Sequence, residues 1–228
     1  MYCAMIGDLI GSRSMSAEER HHVQEELKQI LGGINSAYAD VIASKFTLTL
    51  GDEFQGLLKS SQQAVEIAER LIKELHPHGI RFGIGLGEIY TDIDPDKALG
   101  ADGPAYHLAR EGVDALKADG RFGKGFAVAF HTDKPDAMLL NALCRAVSDI
   151  ESAWTDRQRE IVWAAEKFDG RQRPAANALK ISKSVVSRQL KAANFSGYRY
   201  LLDSLGSYLR LQYDALSPES SGEPKTEL

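Results

Sequence analysis

The sequence predicts an α+β protein in which a ferredoxin-like βαββαβ domain precedes an all-α helix-turn-helix domain. Two observations lead to this prediction. Strand and helix patterns follow each other as β-α-β-β-α-β, and then α and β, through residues 1–153. Residues 154–213 carry helical patterns only, and residues 214–228 are polar with two prolines, which is typical of a disordered tail.

Charge is distributed unevenly along the 228 residues, although the total of −5 is modest. Residues 154–213 contain eleven Lys and Arg against five Asp and Glu, whereas residues 1–153 have a net charge of −8. This contrast predicts two units with different partners. Cys3 and Cys144 are the only cysteines, too few for a disulfide framework or a zinc site. No apolar run is long enough to span a membrane, so we expect no membrane partner and a cytoplasmic location.

The first half of the chain supplies three strands and two helices. Residues 2–7 form the first strand pattern, and Ser16 begins a helix to about residue 37 because Glu19 completes a capping box. Residues 41–50 and 54–58 alternate around a turn at Gly51-Asp52, which predicts a β-hairpin. Ser60 is expected to cap a second helix, which ends before Pro77.

The next strand pattern, residues 80–90, has glycine at alternate positions 83, 85 and 87. One face of this strand therefore lacks side chains, which permits the close approach of either a ligand or another backbone. A helix packed against the glycines explains them equally well. After a polar loop at 91–102, the patterns predict a helix at 104–118, a strand at 126–131 and a helix at 135–153.

Two strand ends each carry an aspartate that follows a glycine. These are Asp8, after the first strand, and Asp52, at the tip of the hairpin. The first strand and the hairpin are neighbours in the predicted sheet, so the two carboxylates are expected to lie close enough to hold a divalent cation. The turn Gly11-Ser12-Arg13 offers backbone N–H groups to phosphates. Glu53 is expected to point away from Asp52, because adjacent strand residues alternate between faces.

The basic segment has the pattern of a helix-turn-helix. Thr155 caps a helix, residues 173–180 form a second with Pro174 in its first turn, and residues 184–192 form a third after the turn at 181–183. The third helix is predicted to contact double-stranded DNA through its polar residues. These are Lys183, Ser184, Ser187, Arg188 and Lys191. Docking of a protein instead remains open. The apolar stripe of the last helix, residues 198–213, belongs either to the core or to the seam of a homodimer.

Four stretches in order resemble the palm domain of class III nucleotidyl cyclases and GGDEF diguanylate cyclases. They are GDLIGSR at 7–13, TLGDEF at 49–54, IRFGIGLGEI at 80–89 and GPAYHLARE at 103–111. The first two are similar to the metal-binding strand and hairpin, the third to a cyclase strand, and the fourth to the helix that supplies transition-state groups. With the C-terminal segment included, residues 1–210 more closely resemble the SatD family of small bacterial proteins.

The resemblance implies a site for a nucleoside triphosphate, or another nucleotide, with Mg²⁺ or Mn²⁺. It places the metal on Asp8, Asp52 and the carbonyl of Leu9. The nucleotide contacts that it implies are Gly11, Ser12, Arg13 and Glu53. The implied catalytic residues are Asp8, Asp52, Arg110 and His107.

The helix at 103–111 departs from the cyclase pattern. Cyclases carry an Asn and, four residues later, an Arg, whereas the corresponding residues here are His107 and Glu111, with Arg110 one position away. Nucleotide binding is therefore expected more directly than turnover. The function expected first is a regulator with a metal- and nucleotide-binding domain coupled to a DNA-binding helix-turn-helix. The alternatives are an active nucleotidyl cyclase or nucleotidyltransferase that uses two metals, and an inactive palm that serves as a dimerisation scaffold.

Overall fold

A five-stranded sheet organises the first two-thirds of the chain in the computed structural model, which describes residues 1–49, 51–120 and 125–214. The strands lie in the order β2-β3-β1-β4-β5. Their bounds are Tyr2–Ile10 (β1), Ile42–Leu48 (β2), Glu53–Leu58 (β3), Gly79–Gly87 (β4) and Ala127–Thr132 (β5). The first four strands pair antiparallel and β5 pairs parallel to β4. This confirms the predicted ferredoxin-like βαββαβ arrangement, extended by one edge strand.

Different helices cover the two faces of the sheet. Met5 of β1 packs with the helices α1 (Ala17–Ala37), α2 (Ala64–Glu74) and α4 (Ala137–Ser152). Ala4 and Ile6 point to the other face, where α3 (Pro104–Asp119) lies. Alternation along β1 thus divides the core into a large cluster on one side and a smaller one under α3.

The helix starts were predicted with mixed success. The Ser16 and Glu19 capping box is present at α1. Ser60 does not cap α2, however, because α2 begins at Ala64, and the expectation was wrong. The turn before α2 is held instead by the Asp214 carboxylate, which accepts hydrogen bonds from the backbone N–H groups of Ser61 (2.7 Å) and Gln62 (3.0 Å). A partner more than 150 residues away cannot be read from the local pattern.

The glycines of β4 accommodate the backbone of α3. A Cβ atom at Gly83 would lie 1.8 Å from the carbonyl oxygen of Ala109, and one at Gly85 would lie 2.0 Å from that of Ala105. Of the two interpretations left open by the sequence, packing under a helix is therefore the one observed.

Four helices follow: α5 (Asp156–Glu166), α6 (Gln172–Ala178), α7 (Lys183–Ala192) and α8 (Phe195–Leu209), which continues as a π-helical turn to Asp214. The Thr155 cap is present, and α7 starts at Lys183, one residue earlier than predicted, because Ser182 caps it. Leu205 and Leu209 are buried in the same hydrophobic cluster as α2 and α4, so this part of the stripe is core. Tyr200 of the same stripe is exposed, and Leu216, an apolar residue just after it in the sequence, lies outside the described residues.

The large hydrophobic cluster contains residues from both sides of the predicted domain boundary between residues 153 and 154. The division into two domains stays a prediction. Within the three described ranges, no helix combines the length and the apolar character needed to cross a membrane.

Candidate functional site

Asp8 and Asp52 lie at the same end of the sheet. Because β1 and β3 are antiparallel, the end of β1 meets the start of β3, and Asp8 is directly opposite Glu53 in the register. The backbone N–H of Leu9 donates to the carbonyl oxygen of Asp52 at 3.3 Å, which fixes the hairpin turn beside β1. The topology thus brings together two carboxylates that are 44 positions apart in the sequence.

The turn after β1 closes over this end of the sheet. Gly11 has a φ of 80°, a left-handed conformation that glycine adopts without steric cost, and the short 3₁₀ helix Ser12–Ser14 follows it. The Ser12 hydroxyl donates to the Asp52 carboxylate. At the hairpin turn between β2 and β3, the Gln24 side chain of α1 donates to the carbonyl of Gly51. Both strand-end turns are therefore held in place by side chains of their neighbours.

Two basic side chains, Arg81 and Lys117, contact Asp8. Arg81 lies opposite Asp8 in the β1–β4 register, and its Nε is 3.3 Å from Oδ2. Lys117 reaches from the last turn of α3 and places its Nζ 3.3 Å from Oδ1. Sequence reasoning missed both residues. Arg81 stood in the glycine-alternating strand, and Lys117 lies seven residues after Arg110, hence on the same side of α3.

A cavity of about 340 Å³ opens at this point. Its lining consists of Asp8, Leu9, Gly11, Ser12, Arg13, Asp52, Arg81 and Lys117. Two acidic and three basic side chains give it a formal charge of +1 at neutral pH. The three basic side chains suit an anion, and the two carboxylates suit a cation.

Burial raises the pKa of Asp8, which is only 8% exposed. Lys117 and Arg81 act in the opposite direction, and charge repulsion from Asp52 raises the pKa further. Desolvation of the ionised form therefore outweighs the attraction of its two basic neighbours. An additional cation in the cavity would stabilise the ionised form.

The donor atoms suit a hard divalent cation only in part. Carboxylate and carbonyl oxygens are the ligands that Mg²⁺ and Mn²⁺ prefer. Yet no group of three or more His, Cys, Asp or Glu is placed to hold a metal in the parts of the chain that the structure describes. The residues thus fit a metal whose remaining ligands come from phosphate oxygens and water.

Glu53, His107 and Arg110 do not line the cavity. Glu53 and Arg110 form a two-pronged ion pair, with Nη2 of Arg110 2.7 Å from Oε1 of Glu53. This bond raises the pKa of Arg110. His107 is exposed and contacts Asp102 at 2.9 Å. It lies ten residues before Lys117, about 15 Å along the helix. His107 is therefore separated from the two aspartates, whereas Arg110 is paired with the neighbour of Asp52, and Asp8 contributes to its raised pKa.

The basic face predicted on α7 is exposed. Val186 and Leu190 are buried, while solvent reaches Lys183, Ser184, Ser187, Arg188 and Lys191. Over the described residues, none of the three basic side chains in this set forms an ion pair. Their charges are therefore available to an external partner.

Comparisons with known proteins identify a family and distant structural likenesses. The model of the SatD family matches residues 2–201. No curated protein sequence matches the chain. A bacterial light-regulated adenylyl cyclase is 18% identical, with a TM-score of 0.38 over 57% of this chain and 74% of the other.

Two further solved structures are similar. The guanylate cyclase domain of RhGC from Catenaria anguillulae, in complex with GTP, is 14% identical, with a TM-score of 0.35 over 48% of this chain and 70% of the other. A regulator of polyketide synthase expression from Bifidobacterium adolescentis is 14% identical, with a TM-score of 0.27 over 92% and 81%. Likenesses this distant carry no argument about function.

Proposed function

The chain belongs to the SatD family, and we propose that it binds a nucleotide together with a divalent cation in the cavity between Asp8 and Asp52. One observation carries this proposal: a single cavity collects two carboxylates and three basic side chains at the end of the sheet. A metal–nucleotide complex has the matching composition, a cation held between negatively charged phosphates.

Six of the eight lining residues have a defined part in this proposal. Asp8, Asp52 and the carbonyl of Leu9 would hold Mg²⁺ or Mn²⁺, which neutralises phosphate charge when bound. Arg81 and Lys117 would pair with phosphate oxygens. Gly11 has no side chain, so the backbone of the turn can approach the phosphates closely.

Isothermal titration with ATP and GTP, with and without Mg²⁺, tests the proposal. We expect Mg²⁺ to strengthen binding of a nucleotide and Asp52→Asn to weaken Mg²⁺-dependent binding by about tenfold or more, since a charged ligand is lost. Asp92→Asn, in the exposed loop after β4, is the matched control and should bind like the wild type. Nucleotide affinity that changes neither with Mg²⁺ nor in Asp52→Asn would refute the proposal.

Catalysis is the alternative, and pyrophosphate release separates it from binding. Because His107 and Arg110 do not line the cavity, we expect no release from ATP or GTP with Mg²⁺ or Mn²⁺. Release that disappears in Asp8→Ala and Asp52→Ala would instead establish a nucleotidyl cyclase or transferase. The scaffold alternative requires that nucleotide is not bound at all, so the titration above decides it.

We also propose that α7 binds double-stranded DNA, which would make the protein a nucleotide-responsive regulator. The supporting observation is the exposed set from Lys183 to Lys191 above the buried Val186 and Leu190. Fluorescence anisotropy with a duplex at two salt concentrations is the test. Arg188→Ala with Lys191→Ala should weaken binding about tenfold and reduce its salt dependence. The same two changes on α1, Arg20→Ala with Lys28→Ala, are the control, and equal effects of the two pairs would refute the assignment.

A homodimer, which would suit paired DNA half-sites, also remains a proposal. Analytical ultracentrifugation at several protein concentrations, with and without duplex DNA, measures the oligomeric state.

A further inference from the structure

Asp8 and Asp52 differ in their surroundings. Both carboxylate oxygens of Asp8 have a basic neighbour, Lys117 at Oδ1 and Arg81 at Oδ2, each at 3.3 Å. Asp52 accepts a hydrogen bond from the Ser12 hydroxyl and, among the described residues, has no ion pair. One of the two expected metal ligands is thus already occupied by positive charge, and the other is not.

We propose that Lys117 is an internal cation that occupies Asp8 in the free protein and weakens its metal binding, and that bound phosphate draws Lys117 away and so strengthens the hold of Asp8 on a metal. This inference rests on the proposed function and deepens it. It makes Lys117 a positioning residue and predicts that nucleotide and metal strengthen each other's binding. Such coupling is reciprocal by thermodynamic necessity.

Charge and reach favour Lys117 for this role. A divalent cation on Asp8 would sit within a few ångströms of the Lys117 ammonium group, and the two positive charges would repel each other in a half-buried site. The lysine has a flexible four-carbon stem, and its side chain is 40% exposed, so it can move to a phosphate oxygen.

The positions of Lys117 and Arg81 in the fold distinguish these two partners of Asp8. Lys117 belongs to the last turn of α3, where the helix dipole favours a cation. Arg81, in contrast, extends from a central strand and is only 17% exposed, which restricts its movement. Arg81 is therefore the constant partner of Asp8 and Lys117 the exchangeable one.

Binding of Mn²⁺ alone, measured by the electron paramagnetic resonance of free Mn²⁺, tests the inference without requiring activity. Lys117→Met removes the charge and keeps the length, and we expect it to bind Mn²⁺ at least about tenfold more tightly than the wild type. Lys117→Arg keeps the charge and should bind as weakly as the wild type. Lys59→Met, at the far end of β3, is the control and should change nothing. Circular dichroism confirms that each variant is folded.

The outcomes separate this inference from the proposed function. Unchanged Mn²⁺ affinity in Lys117→Met, with binding that Asp52→Asn abolishes, would overturn the role of Lys117 and leave the metal site standing. Weaker ATP binding in Lys117→Met with unchanged Mn²⁺ affinity would show a phosphate ligand only, and would also overturn it. Failure of every variant to bind Mn²⁺, with ATP binding indifferent to Mn²⁺, would overturn both.

Discussion

Two clusters of charged side chains, one associated with each face of the sheet, differ in what surrounds them. The open cluster, Asp8, Asp52, Arg81 and Lys117, lines a cavity at the end of the sheet. The closed cluster joins α2, α5 and α8 and consists of Glu69, Lys73, Glu166 and Arg199.

Each acid of the closed cluster forms an ion pair with each base. Lys73 contacts both Glu69 and Glu166, and Arg199 lies 3.3 Å from Glu69 and 3.2 Å from Glu166. Two acids and two bases balance, and the hydroxyl of Tyr198 donates to Glu69 at 3.1 Å. The closed cluster holds three helices together beside a second cavity of about 290 Å³, which Glu69 and Arg199 line. The cavity of the open cluster, which also includes the third base Arg13, is the proposed ligand site.

The acids of the two clusters are similarly buried, since the side chain of Asp8 is 12% exposed and that of Glu69 is 10% exposed. What differs is that each acid of the closed cluster pairs with both bases, whereas Asp52 has no ion pair among the described residues.

The largest effect is expected from a substitution that displaces α3 and so breaks the open cluster. In Gly83→Ala, the new Cβ would meet the carbonyl of Ala109 at 1.8 Å and the backbone nitrogen of Val113 at 2.6 Å, so α3 must move. We expect a loss of about 3 kcal/mol in the free energy of unfolding, measured in urea. Gly32→Ala in α1 is the control: nothing lies within 4 Å, and a gain of about 0.5–1 kcal/mol is expected. Equal stability of the two variants would contradict the packing of α3 on β4.

A smaller effect should distinguish the clusters directly. Arg199→Met leaves Glu69 and Glu166 with Lys73 alone, and we expect a loss of about 2 kcal/mol in urea, discounted because a third of the arginine is exposed. Lys117→Met, the matched change in the open cluster, should cost less than about 1 kcal/mol, since Lys117 is 40% exposed and Arg81 remains beside Asp8. The comparison fails if both substitutions destabilise the protein equally.

The smallest effect concerns pH. Burial raises the pKa of Glu166 to about 7, repulsion from Glu69 adds to the rise, and Lys73 opposes it. Arg199 and Tyr198 are the other groups of the cluster that face this carboxyl group. Because the folded protein binds the proton more tightly than the unfolded chain, this contribution to stability is complete below about pH 4.5 and is lost as the pH rises through 7.

Urea unfolding between pH 5 and pH 8 measures this contribution. The wild type should lose on the order of 1 kcal/mol more than Glu166→Gln over that interval, because the amide does not titrate. Glu160→Gln, an exposed residue of the same helix, should retain the wild-type dependence. Parallel curves for wild type and Glu166→Gln would assign the pH dependence to other groups.

Sequence reasoning was most successful where structure depends on neighbours in the chain. Alternation and helical spacing identified the order of the strands and helices, and the capping boxes at Ser16 and Thr155 were visible as residues three positions apart. The same reasoning failed at Ser60, because the group that holds the following turn is Asp214. Glycines 83 and 85 were noticed, but whether a ligand or a helix approached them depended on α3.

The amino-acid sequence by itself determined the α+β class, the ferredoxin-like strand order and the hairpin turn at Gly51-Asp52, since period, capping and turn chemistry are local properties. Asp8, expected to follow the first strand, instead lies within β1, which continues to Ile10 because Asp8 and Leu9 still pair with β4. Only the tertiary structure decided that Arg81 and Lys117 share Asp8, that His107 lies apart from the cavity and that Glu53 is paired with Arg110. These contacts depend on strand register and on how closely α3 approaches β4. Both result from packing between segments far apart in the chain, and local sequence patterns contain no information about such packing.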